Sequence, residues 1–127
     1  MIEPRIIDIK RAAKENSFFR KVLVTAKKSQ VVLMALLPGE EIGTESHDGD
    51  QLLYAVKGEG VAVINGVREP FEKGTMLCVP AGAEHNVINT GDDLFKLFTI
   101  YAPPQHAGGT IHETKAEAEA AEAKVGA

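Results

Sequence analysis

An all-β chain, folded as a jelly-roll barrel or related double sheet with a short helix at each end, is what the sequence predicts. Three observations carry that prediction. Short runs rich in Val, Ile, Leu, Phe and Tyr recur between Lys21 and Tyr101, each bounded by Gly, Pro, Asn or Asp, which is the punctuation of many short strands. Asn65-Gly66 is a strong hairpin signal, because a type I′ turn needs positive φ at both central residues. Helical spacing is confined to the two ends of the chain.

Taken in order, residues 8–16 read as one short helix: Ile9, Ala12 and Ala13 fall at helical spacing, and Asp8 can serve as N-cap. Strands are expected at 21–25, 31–37, 42–47, 51–57, 61–65, 75–79, 85–89 and 95–101. Pro103-Pro104 ends the last of them, and Gly108-Gly109 lets the chain swing. An Ala/Glu-rich stretch from Thr114 to Lys124 then reads as a helix, capped by Thr114 with Glu117 three residues on. Its apolar face is mostly alanine and buries little, so a loosely held surface helix is expected. The expected organisation is one domain over 1–127: a helical segment 1–20, a barrel core 21–101 and a tail 102–127.

Composition bounds the function classes. A chain of 127 residues with 44% hydrophobic content can bury roughly two-thirds of its unfolded surface around one core. Its 14 basic and 18 acidic residues give a formal charge of -4, with no basic stripe or aromatic stacking motif to attract a nucleic acid. The opening residues lack the apolar run of a secretory signal, and the longest apolar stretch, 31–37, is too short to cross a bilayer. A cytoplasmic protein with neither a nucleic-acid nor a membrane partner is therefore expected. Cys78 is the sole cysteine; with no basic neighbour to lower its pKa, it reads as a small buried hydrophobe.

Two segments hold the candidate site. In the first, Glu45 and His47 are two apart and face the same way if the chain is extended. The Asp48-Gly49-Asp50 turn then brings Gln51, at the start of the next strand, close to them. In the second, His85 follows the Pro80-Ala81-Gly82 turn and opens a strand. A carboxylate oxygen, an amide oxygen and two imidazole nitrogens can thus converge on one ion. This mixed nitrogen and oxygen set suits Mn, Fe, Ni or Zn, and an octahedral ion would keep two positions for water, substrate or dioxygen. If His47, Gln51 and His85 alone hold the ion, Glu45 becomes a free carboxylate suited to general base work. Alternation from Gln51 turns Leu53 and Ala55 toward the same interior, and His85 brings Val87. His106 and His112 lie in the tail, outside any motif, and are expected to stay out of the site.

At these residues the chain resembles the cupin superfamily, whose motifs are written G-x5-H-x-H-x(3,4)-E-x6-G and G-x5-P-x-G-x2-H-x3-N. Gly74, Pro80, Gly82, His85 and Asn89 match the second at every fixed position. Gly39, His47 and Gly58 match the first, but Glu45 stands where a His is expected and Gln51 where the Glu is expected. One carboxylate is present in either arrangement, so a divalent ion with neutral imidazoles would leave the site near +1. The resemblance implies a double-stranded β-helix barrel of the small bacterial kind, a divalent metal cofactor and a small-molecule ligand. It leaves three classes open: a metal-dependent enzyme such as a dioxygenase, decarboxylase or isomerase; a binding module that holds a small anion; and a metal-free structural cupin. A sugar-phosphate isomerase would be expected to show basic phosphate contacts, for which this region supplies only Lys57 and Arg68. Exposed strand edges are costly to leave uncovered, so a homodimer is expected.

Overall fold

The computed structural model describes residues 3–126. Helix α1 (Ile9–Glu15) begins where its cap requires, with the Asp8 side chain accepting the Arg11 backbone N–H at 3.1 Å. It is followed by β1 (Arg20–Thr25), β2 (Gln30–Leu36), β3 (Asp50–Lys57), β4 (Glu59–Ile64), β5 (Val67–Glu72), β6 (Met76–Val79), β7 (His85–Asn89), β8 (Phe95–Ala102), β9 (Ile111–His112) and α2 (Lys115–Gly126). Every named strand pair is antiparallel. One sheet runs β6-β3-β8-β2-β1-β9 and the other β5-β4-β7.

The two inner faces meet in the main core. Met34 and Leu36 of β2, Leu53 and Ala55 of β3, Phe95 and Leu97 of β8, and Val87 of β7 are all buried there. Alternation along β3 holds as the sequence predicts, with Gln51, Leu53 and Ala55 all turned inward. Strand β2 is apolar on both faces because both are covered: α1 lays Ala13 over the outer face, where it packs with Leu33 and Val56. The β4–β5 hairpin turns at Asn65-Gly66 with φ of 48° and 83°, and Ile64 pairs with Val67 across it, as a two-residue I′ turn requires. Among the described residues, no helix is long and apolar enough to cross a membrane.

Strand β9 lies beyond the strands the sequence predicts, and four further features depart from that expectation. Residues 42–47 form no regular strand; only Glu41 and Glu45 make isolated bridges, to Ile88 and His85. Gly43, at φ +105°, breaks the alternation, and its N–H goes to the Asn86 side chain rather than to a ladder carbonyl. Strand β5 goes unpredicted because all but Phe71 is exposed and Pro70 interrupts it, yet β5 is an edge strand, where a missing N–H is tolerated. Helix α2 is docked rather than loose, with Ala118 2% exposed within the main core. Cys78 is exposed rather than buried, because it sits on β6 opposite the outward-facing Leu52.

Candidate metal centre and adjoining cavity

The segment before β3 is laid along β7 by backbone bonds, and this placement builds the site. Glu45 and His85 exchange both N–H···O bonds, at 3.0 and 2.9 Å, so their side chains leave the pair on one face. Asn86 fastens the same segment, accepting from Gly43 N–H at 2.8 Å and donating to the Glu41 carboxylate at 3.1 Å. His47 is held through its carbonyl, which accepts from Gly82 N–H at 2.8 Å. Asp50 anchors the same turn by accepting from Ala81 N–H at 3.2 Å. Asn89, the last residue of the second motif, is structural: it donates to the carbonyls of Leu36 and Asp93 and accepts from Gly91 N–H.

Ligand atoms of Glu45, His47 and His85 all lie within 4.8 Å of one another. Glu45 Oε1 is 3.2 Å from His47 Nε2 and 3.8 Å from His85 Nε2. Two donors about 2.0–2.2 Å from a common ion stand roughly 3–3.5 Å apart, so a small adjustment brings all three onto one centre. The tautomer of His85 is fixed by its neighbour. Its Nδ1 is 3.0 Å from the Ala83 carbonyl, which can only accept, so Nδ1 carries a proton and in the neutral ring Nε2 presents the lone pair. That Nε2 is buried and has no hydrogen-bond partner among the described residues. An imidazole oriented from behind by a carbonyl, with a bare nitrogen in front, is the arrangement metal sites use.

Gln51 shares the feature. It is 2% exposed, its Nε2 donates to Thr99 Oγ1 at 3.0 Å, and its Oε1 is buried without a partner. The clustered donors, one carboxylate and two imidazoles, therefore fit a divalent cation. Of the four residues expected from the sequence, the structure clusters Glu45, His47 and His85, with Gln51 in the β3 position paired with Tyr101.

A cavity of about 600 Å³ opens beside this cluster, with Glu45, His47, Arg20, His106, His112 and Glu122 among its walls. Both tail histidines thus reach the site region, contrary to expectation. Gln30 is the reason for His106: it donates to the His106 carbonyl at 2.7 Å and accepts from the N–H groups of Gln105 and His106 at 3.1 and 3.0 Å. His106 then stands edge-on to Tyr101, with ring centroids 5.3 Å apart, and Tyr101 stands edge-on to His47 at 5.7 Å. His112 arrives because β9 pairs it with Arg20. Arg20 itself was missed because the strand was expected to begin at Lys21, although its period-two spacing from Val22 points it inward.

Electrostatics follow from burial and these neighbours. Burial pushes the Glu45 carboxyl up, but the His47 hydrogen bond and the charges of His47, His85 and Arg20 outweigh it and hold it below the ordinary carboxylate value. Burial, reinforced by Glu45, raises the Tyr101 phenol, which stays protonated. Burial and the nearby Arg20 push His106 down to about 4.

Residues 32–101 match the family described as a cupin domain. The uncharacterized protein YrkC of Bacillus subtilis is 46% identical over 128 residues, covering 94% of this chain and 68% of YrkC. The crystal structure of BH2720 from Bacillus halodurans superposes with a TM-score of 0.91 at 41% identity, over 93% of this chain and 95% of that one. An oxalate-binding protein of Thermotoga maritima is 35% identical over 60 residues, covering 46% of this chain and 50% of that protein.

Proposed function

The chain belongs to the cupin family, and from that premise we propose that it is a metal-dependent cupin acting on a small oxygen-rich molecule held in the cavity beside Glu45 and His47. The observation that carries this reading is His85, whose Nδ1 is committed to the Ala83 carbonyl while its buried Nε2 lacks any partner. Glu45, His47 and His85 would hold one divalent ion, with Gln51 Oε1 as a fourth, neutral donor. When bound, such an ion supplies Lewis-acid polarisation of a substrate oxygen, activation of water, or redox chemistry.

The chain's own residues divide the remaining work. Glu45, held ionised at neutral pH, suits an anionic ligand better than a general base, because a depressed pKa weakens its pull on a proton. Should the ion rest on His47, Gln51 and His85 alone, Glu45 is the base. Tyr101 keeps its proton and packs its ring edge-on against His47, bracing that imidazole.

A second reading, a binding module without catalysis, is favoured by the Thermotoga maritima relative whose name is oxalate-binding protein. Elemental analysis of protein purified without chelator, followed by supplementation with Mn, Fe, Ni and Zn, tests both. Near-zero occupancy throughout rejects them together. Oxygen uptake on catechols, diketones and small organic acids separates them, since an inert but metal-loaded protein moves the assignment to the binding module. A homodimer belongs to the same proposal: β6 ends the larger sheet, with Met76 and Cys78 outward, and such an edge favours a cover. A monomeric mass in light scattering refutes it.

A further inference from the structure

We propose that the cavity beside Glu45 and His47 takes a small molecule bearing a carboxylate, which pairs with Arg20 by displacing Glu122. This rests on the metal reading only for what the other end of the molecule meets. Arg20 is 3% exposed, and its Nε is buried with no hydrogen-bond partner among the described residues. A guanidinium in such a place is unusual unless something planar and anionic completes it. Its Nη1 is 3.3 Å from His112 Nδ1 and 3.5 Å from Glu122 Oε1. Arginine can only donate, so His112 Nδ1 is the acceptor in this contact. Glu122 approaches from α2 with its side chain 61% exposed, a loosely held occupant from the solvent side.

The charge count selects the ligand. Arg20 is the only Lys or Arg among the described cavity walls, while Glu45 contributes a carboxylate to the same space. One guanidinium matches one carboxylate in a bidentate fork. A phosphate dianion would meet a single cation and a neighbouring anion. The two basic residues that the sequence offers for a phosphate are elsewhere: Lys57 pairs with Asp93 at 3.4 Å, and Arg68 lies exposed on β5 of the other sheet. His106 Nε2, buried and also without a partner, offers the ligand a second polar contact. About 600 Å³ of space accommodates a molecule of a few carbons with its far oxygens toward Glu45 and His47.

The test is calorimetric titration of the full chain with acetate, malonate and succinate, and with malonamide and inorganic phosphate as comparators, on metal-stripped and Mn-loaded protein. Metal-stripped protein should bind at least one carboxylate more tightly than malonamide or phosphate. Arg20→Gln should weaken that carboxylate about tenfold or more with Mn affinity unchanged, and Glu122→Gln should strengthen it about two- to fivefold by releasing the guanidinium. If Arg20→Gln does not fold, Glu122→Gln decides alone, because its site is exposed. Phosphate binding tighter than every carboxylate, no carboxylate binding below about 10 mM, a folded Arg20→Gln with wild-type affinity, or a Glu122→Gln without gain each overturns the proposal. Mn titration is read separately. Loss of Mn binding sinks the metal reading and leaves the Arg20 result standing, and an Arg20-independent ligand on Mn-loaded protein does the reverse.

Discussion

Replacing His85 by alanine isolates the metal reading, because it removes the one cluster member whose donor nitrogen is buried, oriented and without a partner. A ligand that binds only the native state at one hundred times its dissociation constant stabilises it by about 2.7 kcal/mol. For a chain of 127 residues, an unfolding entropy of about 2.1 cal/mol/K per residue turns this into a Tm rise of about 10 °C. In His85→Ala the remaining clustered donors are Glu45 Oε1 and His47 Nε2, 3.2 Å apart. A hundredfold weaker site at the same metal concentration retains about 0.4 kcal/mol, or about 1.5 °C. The assay is scanning calorimetry of wild type and variant, each against its own chelated reference, so that any cost of the lost side chain cancels. A metal-induced rise in the variant within about 2 °C of the wild-type rise refutes the reasoning, whatever metal is used.

Other substitutions probe the surroundings. His47→Ala should weaken metal binding about as much as His85→Ala does, while Gln51→Ala weakens it less, because a neutral amide oxygen is the poorest donor of the four; equal losses in competition titrations contradict that ranking. His106, pushed from 6.5 to about 4 by burial and by Arg20, is a proton site the unfolded chain fills first. Folded stability should therefore fall as pH drops from 6.5 toward 4, with the loss complete below that value. Comparing chelated wild type with His106→Gln in urea melts at pH 7 and pH 4 should show about 1–2 kcal/mol less acid loss in the variant, after allowance for solvent screening, and identical slopes count against the burial argument. Gln30→Ala strips three hydrogen bonds from residues 105 and 106 and should cost about 2–4 kcal/mol, with faster amide exchange at His106; unchanged exchange there means the segment is held by something else.

How much was legible depends on whether a feature was local. The Asn65-Gly66 hairpin, the Asp8 cap and the strand at 85–89 rest on residues that act within a turn or two, and the structure has each of them. Glu45, His47 and His85 were readable because motif spacing encodes a long-range contact that is otherwise invisible. The remaining cavity walls carry no such record. Arg20, His106, His112 and Glu122 come from separate elements and meet only because Gln30 pins residues 105 and 106 while β9 pairs with β1. Cys78 was misread for a related reason: in a strand with one face outward, apolar neighbours do not say which face a residue takes.

The shift of the carboxylate to position 45, with an amide at position 51, has a physical rationale at Gln51. A carboxylate in that place would be 2% exposed, with Thr99 Oγ1 as the neighbour that now receives the amide N–H. Without an ion beside it, a buried anion is costly, and its pKa would rise until it took up a proton. With Glu45 as the anion, the charge sits on a side chain 30% exposed and hydrogen-bonded to His47, so the metal-free protein keeps a neutral, cheaper interior. The double variant Glu45→His/Gln51→Glu moves the carboxylate back to position 51. It should still bind metal, but its metal-free form should be about 2–4 kcal/mol less stable than wild type at pH 8. Lowering the pH to 5 protonates the raised carboxyl and should narrow that gap, and adding metal should close it at either pH. Equal stability of the two metal-free proteins at pH 8, measured by urea unfolding, would falsify the view that burial of charge decides which position carries the carboxylate.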